Sequence, residues 1–163
     1  MLGRMYEKEN CSAARALEVV GERWSLLIIR NAAFAGVTRF SEFEKRLGVA
    51  PNILAKRLGD FVAEDLMEVA GSGERQVGRN YHLTPKGREL AEVVMALSAW
   101  GDRWAAPEGA PVVYRHSGCG GEVTVETTCA DCDGRPAVAD LEAHPGPGAS
   151  APQREVMMAR LSR

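Results

Sequence analysis

The chain has 163 residues, of which 45% are hydrophobic and 26% are charged, with a formal net charge of −2. This balance is typical of one globular domain with at most a small appendage, and it is sufficient to bury a core. The net charge by itself predicts no partner, and no apolar run in the sequence is long enough to cross a membrane.

The distribution of charge along the chain is more informative than the net charge. Residues 45–57 hold four basic side chains and no acidic one, which predicts a small surface for binding a polyanion. The opening stretch MLGRMYEKENCS has no apolar signal region, so we expect a cytoplasmic protein. Thiols stay reduced in that compartment, where clustered cysteines more often bind metal or do chemistry than form disulfides.

The first half of the chain predicts three helical segments. Residues 12–34 form either one bent helix or two helices separated at Gly21. Residues 40–47 carry apolar side chains at helical spacing, and after a turn at Gly48 residues 50–62 do so again. Two helices joined by a short glycine-containing turn form a helix-turn-helix.

A β-hairpin and a long helix are predicted next. Residues 66–70 and 79–84 read as strands joined by a turn, which is the arrangement of a wing. Thr84 is the predicted N-cap of a helix that runs to Trp104. Its apolar stripe is longer than one small domain covers, so we expect a dimer interface that includes Leu90, Val94, Leu97, Trp100 and Trp104.

Three stretches, taken together and in this order, resemble the HxlR-type winged helix-turn-helix regulators. They are CSAARALEVVGERWSLLIIR, RFSEFEKRLGVAPNILAKRLGDFVAEDLMEV and YHLTPKGREL, and they span Cys11 to about Trp104. The resemblance implies a bacterial homodimer that binds promoter DNA, often as a repressor, and has no enzymatic activity. Some members of that family respond to electrophiles or oxidants through a cysteine near the N-terminus, where this chain has Cys11.

The N-terminal end of the second helix of such a motif reads the major groove. Asn52 can pair with an adenine or, alternatively, cap the helix. Arg57 can reach a guanine or a phosphate, and Lys56 is better suited to a phosphate. We expect both basic side chains to face solvent.

The remaining DNA contacts are predicted before this helix and on the wing. Ser41 can donate to a phosphate or cap its own helix. A wing arginine can enter a narrow minor groove or simply be solvated. The full set of predicted DNA-binding residues is Arg39, Ser41, Pro51, Asn52, Lys56, Arg57, Arg75 and Arg79.

The stretch HSGCGGEVTVETTCADC holds two pairs of potential metal ligands. His116 with Cys119 and Cys129 with Cys132 are each separated by two residues, a spacing typical of tetrahedral zinc sites. We predict a structural Zn²⁺ bound by all four, with a hairpin strand over residues 122–128 between the pairs. His144 can replace His116 as a ligand. Two other readings are open: unmetallated thiols, or a redox pair formed by the last two cysteines.

The sequence thus predicts an α+β, mainly helical protein in three parts. Residues 1–106 form the winged helix-turn-helix and dimerisation domain, residues 107–142 a zinc ribbon, and residues 143–163 a linker and tail. The predicted function is sequence-specific binding of double-stranded DNA by a homodimer on a palindromic operator, with no membrane partner.

Regulation by a small molecule or an oxidant is a further hypothesis. Cys11 lies near a helix N-terminus and one turn from Arg15, and both features favour the reactive thiolate. The sequence has two alternative interpretations besides a regulator: a zinc-ribbon module that binds other proteins, and a thiol oxidoreductase that uses Cys129 and Cys132.

Overall fold

The computed structural model describes residues 10–70 and 78–162. The described residues contain six α-helices and one two-stranded antiparallel sheet. The chain divides into two compact units, one over Arg15–Val125 and one that joins Met1–Ala14 to Glu126–Arg163. The expected domain boundaries at residues 106 and 142 stay a prediction. Across residues 10–70 and 78–162, no helix combines the length and the apolar character that crossing a membrane requires.

The predicted helical region at residues 12–34 is two helices, α1 (Ser12–Val20) and α2 (Ser25–Ala35). The break falls at Gly21, whose N–H donates to the carbonyl oxygen of Leu17 over 2.8 Å. A Cβ at Gly21 would lie 2.4 Å from that same oxygen, so a side chain cannot be placed there without moving the backbone.

The helix-turn-helix consists of α3 (Phe40–Leu47) and α4 (Pro51–Ala63). Gly48 ends α3 in the left-handed conformation, with φ of 62°, which a glycine adopts without a steric penalty. Pro51 occupies the first turn of α4, as predicted.

Neither Asn52 nor Ser41 is the N-cap residue of its helix, which was the alternative role considered for both. Ala50 occupies the N-cap position of α4 and Arg39 that of α3, and neither helix has a side-chain cap hydrogen bond. Asn52 and Ser41 therefore lie inside the first turns of their helices, so neither side chain is used as the N-cap.

The wing pairs β1 (Met67–Ala70) with β2 (Asn80–Leu83). A third segment joins this sheet through a bridge between Arg39 and Asn80 and through the N–H of Tyr81, which donates to Thr38 over 2.8 Å. The wing is therefore tied to the residue that begins the helix-turn-helix. The predicted wing tip, with Arg75, lies outside the described residues.

The long helix α5 (Pro85–Trp104) begins as predicted. The Thr84 Oγ1 accepts the N–H of Gly87 at 3.1 Å and donates to the carbonyl oxygen of Asp65 at 2.7 Å. These contacts fix the start of α5 against the end of the α4–β1 connection.

One apolar core holds the helices, the hairpin and the connecting turns of this unit together. Its largest fully buried members come from α2, α3, α4 and β1, so each of these elements contributes to the same interior. Such burial is the main stabilising term for a domain of this size. The buried apolar cluster comprises Val20, Ile28, Ile29, Val37, Phe43, Val49, Leu54, Leu58, Phe61, Leu66, Met67, Tyr81, Leu83 and Val94.

The strand predicted over residues 122–128 is not formed. The only pairing described in this region is a single bridge between Arg115 and Glu122. Val123 and Val125 are 40% and 45% exposed, and a two-stranded hairpin without a buried apolar face is marginal in water. A zinc-ribbon-like β extension is therefore not confirmed.

The second unit contains a short 3₁₀ turn at Val138–Asp140 and the helix α6 (Ala151–Leu161). Ser150 and Gln153 form a capping box at the start of α6. Gln153 also exchanges hydrogen bonds with Asn10, whose side chain donates over 2.7 Å and whose carbonyl oxygen accepts over 2.8 Å. These contacts attach the residue before Cys11 to the start of α6.

Candidate nucleic-acid interface

The exposed N-terminal end of α4 is the centre of the candidate interface. Pro51, Asn52 and Lys56 are all exposed, as expected for residues that approach DNA. Lys56 Nζ lies 2.7 Å from Asp60 Oδ2, and both side chains are nearly half exposed. Exposed pairs of this kind contribute little to stability, so Lys56 is available to exchange this carboxylate for a phosphate.

Arg57 does not face solvent, so the expectation about its orientation was wrong. Only 8% of the residue is exposed, and its Nη2 lies 3.4 Å from Asp60 and 3.9 Å from Glu22. The physical reason is periodicity: the buried residues of α4 are Leu54, Arg57, Leu58 and Phe61, which lie on one face. Arg57 packs its aliphatic stem there and keeps its guanidinium among carboxylates.

Arg39 and Arg79 are placed near each other by the backbone. Arg39 is exposed at the N-cap of α3, and its bridge to Asn80 sets it beside the residue that follows Arg79. Ser41 is exposed in the first turn of α3. Periodicity could not predict the bridge, because a single paired residue leaves no repeating pattern in the sequence.

The apolar stripe of α5 divides into two faces. Val94 is 4% exposed and Leu90 packs against the same core, so both belong to the chain's own interior and not to an open surface. The open stripe consists of Val93, Leu97, Trp100 and Trp104, which are 47%, 53%, 61% and 70% exposed. Val93 belongs to the apolar stripe read from the sequence but was not among the residues expected at the interface, although the 4-3-4 spacing of these four residues includes it.

A cavity of about 480 Å³ opens between α2, β2 and α5. Small side chains line much of it, and Tyr81, His82 and Arg88 supply polar groups. Arg88 Nη1 donates to the carbonyl oxygen of Leu83 over 2.8 Å, which holds its guanidinium at the cavity. The sequence did not identify the residues that line this cavity, because they come from three separate elements.

Cys11 is an exposed thiol that directly precedes α1. The contacts of Asn10 with Gln153 therefore hold the backbone next to this sulfur.

The other three cysteines are also free thiols. His116 Nδ1 lies 3.3 Å from Cys119 Sγ. The pKa of the Cys129 thiol is lowered by the backbone N–H of Asp131, and further by the backbone and side chain of Cys132. His144 is 3.2 Å from Glu142.

Three or more metal-binding side chains in one group do not occur in the part of the chain that the structure describes. The two ligand pairs belong to different compact units. The four-ligand zinc site stays a prediction.

These elements define a winged helix-turn-helix. The start of its second helix, α4, is exposed, and its wing is tied to the start of the first helix, α3. The pattern of the HxlR-like helix-turn-helix family matches residues 19–109 of this chain. The chain therefore belongs to the HxlR-like helix-turn-helix family, and its fold is that of a DNA-binding transcriptional regulator.

Similar proteins support the assignment along most of the chain. The helix-turn-helix-type transcriptional regulator Rv3095 of Mycobacterium tuberculosis H37Rv is 36% identical over 151 residues, covering 92% of this chain and 94% of its own. The crystal structure of PA1607, named as a candidate transcription factor, matches with a TM-score of 0.75 and 35% identity over 86% of this chain and 99% of its own.

A shorter relative covers only part of the chain. The helix-turn-helix-type transcriptional regulator YvaP of Bacillus subtilis is 30% identical over 105 residues, which are 63% of this chain and 96% of its own.

Proposed function

We propose that this chain is a cytoplasmic homodimeric regulator that binds a palindromic operator and represses transcription, and that it is not an enzyme. The observation that carries the proposal is the exposed start of α4, with Pro51, Asn52 and Lys56, in a helix-turn-helix whose wing is fixed beside it. An α-helix fits the major groove of B-DNA, and residues at its N-terminal end reach the base edges.

The open stripe of α5 supports the dimer. Two exposed tryptophans and a leucine at helical spacing form an apolar surface that one soluble chain seldom leaves uncovered. A second copy of the chain offers the same stripe, and helices with this spacing pack side by side around a two-fold axis. Such a dimer presents two recognition helices to half-sites about 10 bp apart.

Two experiments test this function together. Selection of bound sequences from a random double-stranded library is expected to return a palindrome with half-sites separated by about one helical turn. Analytical ultracentrifugation is expected to show a dimer for the wild type and a monomer for Trp100→Glu. The monomer loses the gain from binding two half-sites at once, so its operator affinity falls by roughly 100-fold or more.

Ala99→Glu is the matched control, because it adds the same charge about 100° around α5 from Trp100 and outside the open stripe. It is expected to keep both the dimer and the operator affinity. A wild-type monomer, or selected sites without two-fold symmetry, would contradict the proposal.

The proposed signal is an electrophile that reacts with Cys11. For an α,β-unsaturated carbonyl compound, the thiolate sulfur forms a bond to the β-carbon as the C=C π bond breaks. The α-carbon then takes a proton from water, which leaves a thioether. Cys11 is exposed, so the reagent can reach it.

The test measures operator affinity before and after treatment with N-ethylmaleimide, in the wild type and in Cys11→Ser. We expect a loss of affinity only in the wild type. An unchanged wild-type affinity, with Cys11 modified by mass spectrometry, contradicts this mode of sensing. A response that survives in Cys11→Ser implicates the other thiols.

The cavity between α2, β2 and α5 is available to a non-covalent effector, because its volume is in the range of small-molecule sites.

A further inference from the structure

The cavity between α2, β2 and α5 lies within one compact unit, since all of its described lining residues belong to Arg15–Val125. Its volume of about 480 Å³ is in the range of small-molecule sites. Ala32 and Ala33 on α2 and Ala91 on α5 line it. Because these side chains end at Cβ, they leave open a space that larger side chains would fill.

Part of the cavity wall is aromatic. Phe34 lines the cavity, and its ring centroid lies 4.5 Å from that of Tyr114. The Tyr114 hydroxyl is in turn 3.5 Å from Ser98 Oγ of α5. Phe34 therefore packs against a residue that is itself attached to α5, and its ring offers a surface on which a flat apolar ligand can pack.

The charge at the cavity is positive. Arg88 lines it, and none of the described lining residues is acidic. The carbonyl oxygen of Leu83 accepts from Arg88 Nη1 over 2.8 Å, and within residues 10–70 and 78–162 it is the one hydrogen-bond partner of this guanidinium. The planar N–H donors of a guanidinium match the two oxygens of a carboxylate, so the remaining donors of Arg88 suit such an anion.

The hydroxyl of Tyr81 is a second polar group for a ligand. Tyr81 lines the cavity and is 3% exposed, and its hydroxyl forms no hydrogen bond with the described residues. In the same part of the chain, Ser25 Oγ is the one side-chain atom that is both fully buried and unpartnered. The small exposed area of Tyr81 therefore includes its hydroxyl, which can donate to a ligand oxygen.

The cavity side of α5 is distinct from its open apolar stripe. Arg88 and Leu97 are nine residues apart, as are Ala91 and Trp100. At about 100° per residue, this spacing places the two members of each pair on opposite sides of the helix. A dimer formed through the open stripe therefore leaves the cavity side of α5 accessible.

We propose that this cavity is a binding site for a small aromatic carboxylate. The carboxylate pairs with Arg88 and accepts from the Tyr81 hydroxyl, and the ring occupies the space beside the alanines and Phe34. The charge-assisted pair fixes the orientation of the ligand, and the apolar walls limit its size.

The ligand is also placed to act on DNA binding, an inference that rests on the proposed function. Thr38 and Tyr81 line the cavity and also join the wing to the start of the helix-turn-helix. The N–H of Tyr81 donates to the carbonyl oxygen of Thr38 over 2.8 Å, and Thr38 Oγ1 donates to Asn80 Oδ1 over 3.4 Å. A ligand that contacts this joint favours one arrangement of the wing over another, so occupancy of the cavity changes operator affinity.

The first experiment titrates benzoate into the full-length protein without DNA and follows the amide signals by NMR. We expect one site per chain with a Kd of about 10 mM or tighter, as a ligand of this size reaches at ordinary efficiency. Benzamide has nearly the same shape without the charge, so it is expected to bind at least roughly 10-fold more weakly.

Two variants test the two halves of the site. Arg88→Met is expected to weaken benzoate binding by at least roughly 10-fold and to remove the preference for benzoate over benzamide. Ala91→Leu fills the cavity and is expected to abolish binding of both compounds, while Arg88 is kept. Arg103→Met is the matched control, because it removes the same charge from α5 at a residue that does not line the cavity. Circular dichroism checks that each variant is folded.

The second experiment measures operator affinity without benzoate and at saturating benzoate, with the ionic strength matched by sodium chloride. We expect the affinity of the wild type to change by at least about threefold, and that of Ala91→Leu to stay the same. Saturating operator should change benzoate affinity by the same factor, since coupling between two sites is reciprocal.

Several results would overturn the proposal. The site is refuted if benzoate binding does not saturate, or if benzoate and benzamide bind equally to the wild type. Benzoate binding that is unchanged in both Arg88→Met and Ala91→Leu would place the ligand elsewhere. Saturating benzoate without a change in operator affinity would remove the regulatory role. A wild type that binds benzoate but selects no DNA sequence would contradict the proposed function and support the site.

Discussion

Lys56 and Arg57 are adjacent basic residues on α4 in different surroundings. Lys56 is exposed and its ion pair with Asp60 is weak, whereas Arg57 is buried between Asp60 and Glu22. The same substitution at the two positions is therefore expected to have opposite consequences.

We expect Lys56→Met to weaken operator binding by roughly fivefold, or about 1 kcal/mol, because one phosphate contact is lost. The slope of log affinity against log salt should fall in magnitude by about 1. The free energy of unfolding should change by less than about 0.5 kcal/mol. Fluorescence anisotropy with labelled operator at several salt concentrations measures the first two, and Arg103→Met is a control away from this face.

We expect Arg57→Met to lower the free energy of unfolding by about 1–3 kcal/mol, because Glu22 loses this ion pair and Asp60 keeps only the exposed Lys56. Operator affinity per folded dimer should be unchanged. Urea denaturation at one fixed protein concentration provides the measurement. An Arg57→Met protein with normal stability and no operator binding would show that Arg57 contacts DNA.

At the scale of elements, the junction between the wing and α5 leaves no free space. Gly87 lies in the first turn of α5, where a Cβ would be 2.0 Å from the carbonyl oxygen of Leu66 and 3.1 Å from Leu83 Cδ2. Gly101, in the same helix, has nothing within 4 Å of such a Cβ. The two glycines therefore form a matched pair.

Gly87→Ala is expected to destabilise the chain by about 3 kcal/mol or more, because the helix must move away from backbone. Gly101→Ala is expected to stabilise it by about 0.5–1 kcal/mol, since alanine is the better helix former. Thermal unfolding followed by circular dichroism compares the two. Equal and small shifts for both variants would show that the wing and α5 are not in close contact.

Elements with local signals were predictable from the sequence. Thr84-Pro85 marks the start of α5, and Gly48 marks the end of α3, because caps and turns depend on neighbouring residues only. The burial of Arg57 was visible in the spacing of α4, but a charged side chain was assumed to face solvent. The strand at residues 122–128 was predicted from alternation alone, which does not supply an apolar face to pack against.

The parts of the site that depend on distant residues could not be predicted. The bridge between Arg39 and Asn80 and the cavity beside Arg88 both need three-dimensional contacts. The backbone hydrogen bonds that close tight turns at His116 and at Cys129 could not be predicted either, since they depend on backbone conformation.

At the scale of the whole molecule, one compact unit joins the two ends of the chain. Asn10 and Gln153 exchange hydrogen bonds across 143 positions of sequence, and Gln153 also completes the cap of α6. Attachment of the residue next to Cys11 therefore involves the Gln153 side chain of α6, together with the carbonyl oxygen of Gly148, to which the Asn10 side chain donates over 2.9 Å.

Gln153→Ala is expected to loosen this attachment by about 1 kcal/mol, because it removes hydrogen bonds to Asn10 and to Ser150. Hydrogen exchange should become faster in the first turn of α6 and at Cys11, with little change in α3 and α4. Glu155→Ala, also exposed on α6, is the control. Unchanged exchange at Cys11 in the Gln153→Ala protein would mean that other contacts hold this segment.

This pairing also has a consequence for the order in which a new chain assembles on the ribosome. At about 5–20 residues per second, Gln153 is synthesised about 7–30 s after Asn10. Every buried member of the apolar core lies between Val20 and Val94, and Val94 is synthesised about 3–12 s before Gln153, so the DNA-binding core can form first. A nascent chain halted shortly before Gly148 would carry a formed recognition helix before the contacts of Asn10 with Gly148 and Gln153 could form.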